Sequence, residues 1–262
     1  MPPKKSKKRN FANEKFSPLE LKELDDLSSL ADKNIVGCDE TGVGDYLTPI
    51  VAAAVYLEAN QIPELLQLGI KDTKELSDQK VLQLFEQIKN KIKYRVNHFT
   101  QKGYNNLNKY LNAHELKMFL HLKSITQLEK QEKINEDFVL IDQFSTAKSI
   151  QEYYKNLQLS SSLQTDEITK PVILSTKAEN KHLAVACAAI VARQKFLTLM
   201  KEQEEACGMK FPLGTNQEVE KVAIAFCQKF GRKNLYEVDK IKFQTTEKID
   251  AALPKEEQKT IK

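Results

Sequence analysis

A chain of 262 residues can bury one substantial core with a small appendage, and its 40 Lys and Arg against 36 Asp and Glu leave a net charge of +4, a mild bias toward polyanions. Four cysteines (Cys38, Cys187, Cys207 and Cys227) without any C-x-x-C spacing exclude a disulfide framework and a zinc site. No apolar signal core opens the chain and its longest apolar run, Leu183 to Ala192, is too short to cross a bilayer, so a cytoplasmic protein without a membrane partner is expected.

Residues 1–33 read as a basic disordered arm and a short helix. The run Lys4, Lys5, Lys7, Lys8 and Arg9 suits contact with nucleic acid. Ser17-Pro18-Leu19-Glu20 predicts a helix start, with Ser17 as N-cap, Pro18 at the first position and Glu20 closing a capping box. Strands are predicted at about 34–40, 50–57 and 92–100, with a helix near 77–90 opened by Ser77. The short turn after the first strand makes that pair antiparallel. From about 105 the pattern changes to helix, strand 138–142, helix 146–157, strand 171–175 and a long helix 181–206. A helix near 216–230 and a short basic-aromatic strand, Lys240 to Phe243, follow, and 249–262 reads as a tail. Three early strands and then αβαβα predict an α/β fold: a mixed five-stranded sheet with helices on both faces.

Three acids mark the candidate chemistry. Asp39 ends an apolar strand and is followed by Glu40 and a Gly42-Val43-Gly44 turn. Asp142 ends Phe138-Val139-Leu140-Ile141, and Glu179 follows the strand-like Val172 to Leu174. In an α/β sheet that edge is where ligands bind. Like charges converge there only if something neutralises them, and a pair of divalent metals does so. Two glycines two residues apart can take positive φ and bring backbone close to a ligand. Asp39 and Glu40 point to opposite sides of a regular strand, so both reach one cluster only if the chain bends after Asp39. A dinucleotide-binding reading of the Gly-x-Gly turn fails: the third glycine is absent, and Pro49 and a β-like run stand where a helix should begin.

The full series is Asp39-Glu40 with Gly42-Val43-Gly44-Asp45-Tyr46; Gly69-Ile70-Lys71-Asp72-Thr73-Lys74-Glu75-Leu76; Tyr104-Asn105 with Asn112 and His114; Ile141-Asp142-Gln143-Phe144; Thr176-Lys177-Ala178-Glu179 with Lys181-His182-Leu183-Ala184-Val185-Ala186; and Lys240-Ile241-Lys242-Phe243. In this order the segments resemble a type 2 ribonuclease H, and within that group ribonuclease HIII, over about residues 34–248. The resemblance implies a ribonuclease-H-like catalytic domain with additional C-terminal helices. It implies an endoribonuclease that cleaves the RNA strand of RNA–DNA hybrids by two-metal-ion catalysis with Mg2+ or Mn2+, working as a monomer without a nicotinamide or flavin cofactor. Asp39, Glu40, Asp142 and Glu179 form the implied catalytic and metal-binding quartet. Gly42, Val43 and Gly44 would read the 2′-hydroxyl through backbone groups, and Thr73 and Lys74 would contact phosphates. His182 is a further candidate for a phosphate contact. Ribonuclease HII-like cleavage at single embedded ribonucleotides and a non-catalytic hybrid-binding protein are the alternatives.

Some positions depart from the family pattern. Val43 stands where a polar or basic residue is usual, Leu47-Thr48 where Phe-Gly is common, and Ala189 where serine is common. Ribonuclease HIII usually carries a folded N-terminal substrate-binding domain. The residues ahead of position 34 are too few for an independent core, so that domain is expected to be missing.

Overall fold

A computed structural model describes residues 16–70, 76–160, 163 and 165–254. The basic run at residues 4–9, Thr73, Lys74 and the end of the expected tail lie outside the described residues. All eight residues of Ile50–Leu57 are buried, the pattern of a central strand covered on both faces. In chain order the strands are Leu21–Glu23 (β1), Ile35–Thr41 (β2), Ile50–Leu57 (β3), Lys93–Phe99 (β4), Phe138–Asp142 (β5) and Val172–Ser175 (β6). They form one sheet in the order β1-β6-β5-β2-β3-β4. β2 pairs antiparallel with β3 and β3 antiparallel with β4, whereas β2, β5, β6 and β1 run parallel. The expected mixed α/β sheet is therefore present, with six strands among the described residues instead of five.

Side-chain alternation divides the sheet into two buried faces. Ile35, Val51, Ala53, Val55 and Leu140 pack with the helix Leu183–Cys207 (α6), and Val36, Cys38, Ala54, Tyr56, Val139 and Ile141 pack with Ala113–Gln131 (α4) and Ala147–Gln158 (α5). The remaining helices are Ile62–Leu66 (α1), Asp78–Ile88 (α2), Gln101–Leu107 (α3), Gln217–Phe230 (α7) and Gln244–Ala252 (α8). Ser77 caps α2 as predicted, accepting from the backbone N–H of Lys80. α8 continues through the expected end of the domain at 248.

α6 is the helix that matters most for the site. His182 is its N-cap, with Nδ1 accepting from the Ala184 N–H at 3.2 Å. Gly208 ends it in the left-handed region, at φ +60°. By length and composition alone this 25-residue helix could cross a membrane, unlike its apolar run taken by itself. Most of its apolar window is buried here, and the helix packs against the sheet and α2. Its small first residues let it approach β2 so closely that a Cβ on Gly37 would lie 2.4 Å from the Ala184 carbonyl carbon and 2.5 Å from the Val185 nitrogen.

Two predicted elements differ. Ser17 to Glu20 do not start a helix; they lead into β1, which covers the open edge of β6. The Val172 N–H donates to Glu20 O (2.8 Å) and the Leu24 N–H to Leu174 O (2.9 Å), so the edge supplies bonds that a short helix would have made within itself. Lys240 to Phe243 form a turn into α8, not a strand. The Ile241 N–H donates to Asn105 Oδ1 (3.0 Å) and the Phe243 N–H to Lys240 O (3.0 Å), leaving no ladder to join.

Gly37→Ala tests the close approach. Its methyl meets backbone that cannot rotate away, so the variant should lose about 2–3 kcal/mol of stability, read as a fall in the denaturation midpoint at an unchanged slope. Wild-type stability would show that α6 can shift outward at little cost.

Candidate active site

Asp39 lies one residue beyond the last paired position of β2 with β5, Cys38 opposite Ile141, and Asp142 is the next residue on β5. By alternation both carboxylates project from the α6 face. β6 adds Ser175 opposite Asp142. Lys177 then takes the left-handed conformation (φ +54°), uncommon for a residue with a side chain. That reversal aims the Ala178 N–H at Asp142 Oδ1 (2.9 Å) and starts the single 3-10 turn that carries Glu179, which is 3% exposed.

The charges are felt between these groups. Burial pushes the Asp39 carboxyl well above the ordinary range, and Glu40, Asp142 and Glu179 push it further; the Glu40 N–H at 2.8 Å opposes them. Asp39, Glu40, Thr41, Asp142, Ala189 and Arg193 line one cleft. Glu179 lines a separate hollow with Leu66, Ile70 and Lys181. Among the described residues no three acidic, histidine or cysteine side chains already close on one point. The donor set is nevertheless that of a hard divalent cation, all carboxylate oxygen, and a cation would remove the repulsion that raises Asp39.

Glu40 is placed differently. β2 stays regular through Thr41, paired with Val51, so the bend that would swing Glu40 beside Asp39 does not occur. Its carboxylate faces α4, with Lys117 Nζ at 2.6 Å and His121 Nε2 at 2.8 Å. Burial would raise its pKa, but the His121 hydrogen bond and the charges of His121 and Lys117 win and hold it at about 2. Phe144 braces both partners: its ring stacks on His121 at 5.9 Å and lies beneath Lys117 Nζ at 4.6 Å. The sequence reading missed this pair. Its signal was a Lys and a His at i and i+4 on a helix whose surrounding residues are almost all buried.

Arg193, also missed, lies on α6 and pairs with Asp78 Oδ1 at 2.9 Å. Of the two turn glycines only Gly42 has positive φ, +84°, and a Cβ there would strike Pro49 O at 2.1 Å. Gly44 is exposed, with open space where a Cβ would stand. Val43 is half-buried against the cluster that Ile50, Ala52, Tyr104, Leu116 and Leu120 form. His182 is a buried cap rather than a surface residue, and burial lowers its pKa to about 4.

This mixed sheet, with acids at the carboxyl edge of its parallel strands, has the ribonuclease-H-like fold of its solved relatives. The ribonuclease HII family profile matches residues 36–246. Ribonuclease HIII of Bacillus cereus (strain AH187) is 36% identical over 248 residues, covering 94% of this chain and 75% of the relative. That of Bacillus mycoides (strain KBAB4) is 35% identical over 255 residues, covering 97% and 77%. Among solved structures, Bst ribonuclease HIII in complex with Mn2+ superposes with a TM-score of 0.78 at 28% identity, covering 86% of this chain and 73% of that one. Ribonuclease H2 of Pyrococcus horikoshii, at 18% identity and a TM-score of 0.67, shares the fold over 84% of this chain and 98% of its own. The chain belongs to the ribonuclease HII family.

Glu40, held first by His121 and then by Lys117, carries a signed pH dependence. Glu40's pKa is depressed from 4.5 to about 2, so its pairing contributes fully above about pH 4.5 and is lost as pH falls toward 2. Lys117→Met should therefore cost about 3 kcal/mol at pH 7, with the deficit shrinking at pH 3. Denaturant unfolding at the two pH values measures it; equal deficits would mean that Lys117 acts through packing alone.

Proposed function

We infer that this protein is an endoribonuclease that hydrolyses the RNA strand of RNA–DNA hybrids with Mg2+ or Mn2+. The observation that carries the reading is the pairing of Asp39 and Asp142 in one cleft at the sheet edge, with Glu179 near enough for its charge to be felt at Asp39, in a chain of this family. We assign metal binding to these three: Asp39, central in the sheet, with Asp142 and Glu179, would hold the cations. Glu40 completes the set from the other side of the strand, lining the same cleft while Lys117 and His121 hold it. When bound, such ions supply charge neutralisation at the phosphodiester and an acidified water. The chain supplies placement: Ala178 N–H orients Asp142, Glu40 N–H orients Asp39, and α6 closes one wall of the cleft. No serine or histidine nucleophile is needed.

The exposed backbone at Gly44 supports recognition of the 2′-hydroxyl, the group that separates RNA from DNA. We assign phosphate contacts to Thr73 and Lys74. The buried free thiols Cys38 and Cys187 suit a reducing cytoplasm.

Asp39→Asn and Asp142→Asn each remove a charged ligand at nearly constant shape. Cleavage of a labelled hybrid should fall by several orders of magnitude while hybrid binding survives, and chelating the metal should stop wild-type cleavage. Near wild-type turnover in either variant would displace the assigned site.

The family description favours a second reading, cleavage beside a single embedded ribonucleotide. That activity requires a sensor of the RNA-to-DNA junction. Tyr236, the only tyrosine after Tyr154, is instead committed to α3, with its hydroxyl on Asn106 Oδ1 at 2.9 Å and Lys109 over its ring. We expect efficient cleavage of hybrids with about four or more consecutive ribonucleotides and poor cleavage of a duplex with one. Comparable rates on both substrates in Mg2+ would favour the second reading.

A further inference from the structure

Lys240 is fully buried, yet among the described residues it forms no ion pair. Its ammonium lies between the rings of Tyr104 (6.0 Å) and Phe243 (5.7 Å). It donates to the Gly42 carbonyl, to the Asp45 carbonyl at 2.5 Å and to Thr48 Oγ1 at 3.4 Å; the Thr48 hydroxyl in turn donates to Gly42 O at 3.3 Å. A buried cation with no carboxylate in contact is costly, even with the Asp45 charge acting on it from a distance, and a methionine would fill the space more cheaply. Burial draws its pKa down to about 7, the sign of that cost. What only the amine provides is a set of donors, and all of them address the turn between β2 and β3.

The turn is thereby held from within. Asp45 Oδ1 accepts from the Gly214 N–H at 2.7 Å, and the Tyr46 N–H donates to Gly214 O at 3.0 Å. A planar trans peptide points its C=O and N–H in opposite directions. With the Gly42 carbonyl fixed inward on Lys240, the Val43 N–H is directed away from the clamp, next to the exposed Gly44.

We propose that Lys240 is a positioning residue for substrate discrimination: by fixing the Gly42 and Asp45 carbonyls it sets the Gly42–Gly44 backbone in the orientation that recognises a ribose 2′-hydroxyl. The inference rests on the assignment of that turn to hybrid recognition. Lys240 touches neither the substrate nor the assigned metal ligands, so its effect should fall on recognition rather than on chemistry.

The test compares wild type, Lys240→Met and Thr48→Val in steady-state hydrolysis of a hybrid. It also compares their binding to that hybrid and to an all-DNA duplex of the same sequence, by fluorescence anisotropy without added metal. Lys240→Met should raise KM roughly ten- to hundredfold with kcat nearly unchanged, and the preference for hybrid over DNA should fall in step. Thr48→Val, which loses one neutral donor at constant shape, should raise KM roughly two- to fivefold. A merely structural lysine would lower the active fraction, and so apparent kcat, while KM and the preference stayed as they were. That result in folded Lys240→Met overturns the proposal. If Lys240→Met does not fold, an unchanged KM in Thr48→Val overturns it. A wild type that binds both duplexes equally removes the hybrid reading and this inference with it, an outcome distinct from the first two.

Discussion

The molecule is organised around the contact between β2 and the first turn of α6. At Gly37 the two backbones are so close that no side chain fits between them. This fixes the depth of α6 on the sheet. Because α6 is entered directly from the turn carrying Glu179, it also fixes how far that carboxylate stands from Asp39, two residues along β2 from Gly37. Alanines 184, 186, 188 and 192, all buried, continue the close packing along the helix. Ala189 and Arg193, farther along it, then form the cleft wall facing Asp39. A bulkier sheet–helix interface would widen that cleft.

The two adjacent acids Asp39 and Glu40 are held in opposite electrostatic states by the two faces of one strand. On the α6 face, burial among other carboxylates drives Asp39 toward its neutral form. On the α4 face a lysine and a histidine keep Glu40 ionised. A cation entering the cleft thus meets one carboxylate that its charge must ionise and another already charged. The protein carries the repulsion at the first position and relieves it at the second. Phe144 takes part from two residues beyond Asp142, so one loop serves both faces.

Much of this was legible in the sequence because local pattern and tertiary role agree. The apolar runs ending in Asp39 and Asp142 are strands, Ser77 is a cap, and the Ala-rich stretch after Glu179 is a core helix. What was not legible depended on partners distant in the chain. Ser17 to Glu20 carry a sound helix-start pattern, but the open edge of β6, some 150 residues away, competes for the same backbone. Lys240-Ile241-Lys242-Phe243 alternates as a strand should, yet Lys240 is the buried member. The orientation of Glu40 was posed correctly as a question of alternation, and its answer lay in Lys117 and His121, 77 and 81 residues farther on.

The bonds that fix the turn after β2 from outside it come from Gly214 and Lys240, 169 and 198 residues away. Asp39, Asp142 and Glu179 are all in place in the chain long before Lys240 is. During synthesis the acids therefore emerge ahead of the groups that shape the neighbouring turn. A chain that ends before Lys240 therefore carries all three acids without the amine that holds the Gly42 and Asp45 carbonyls.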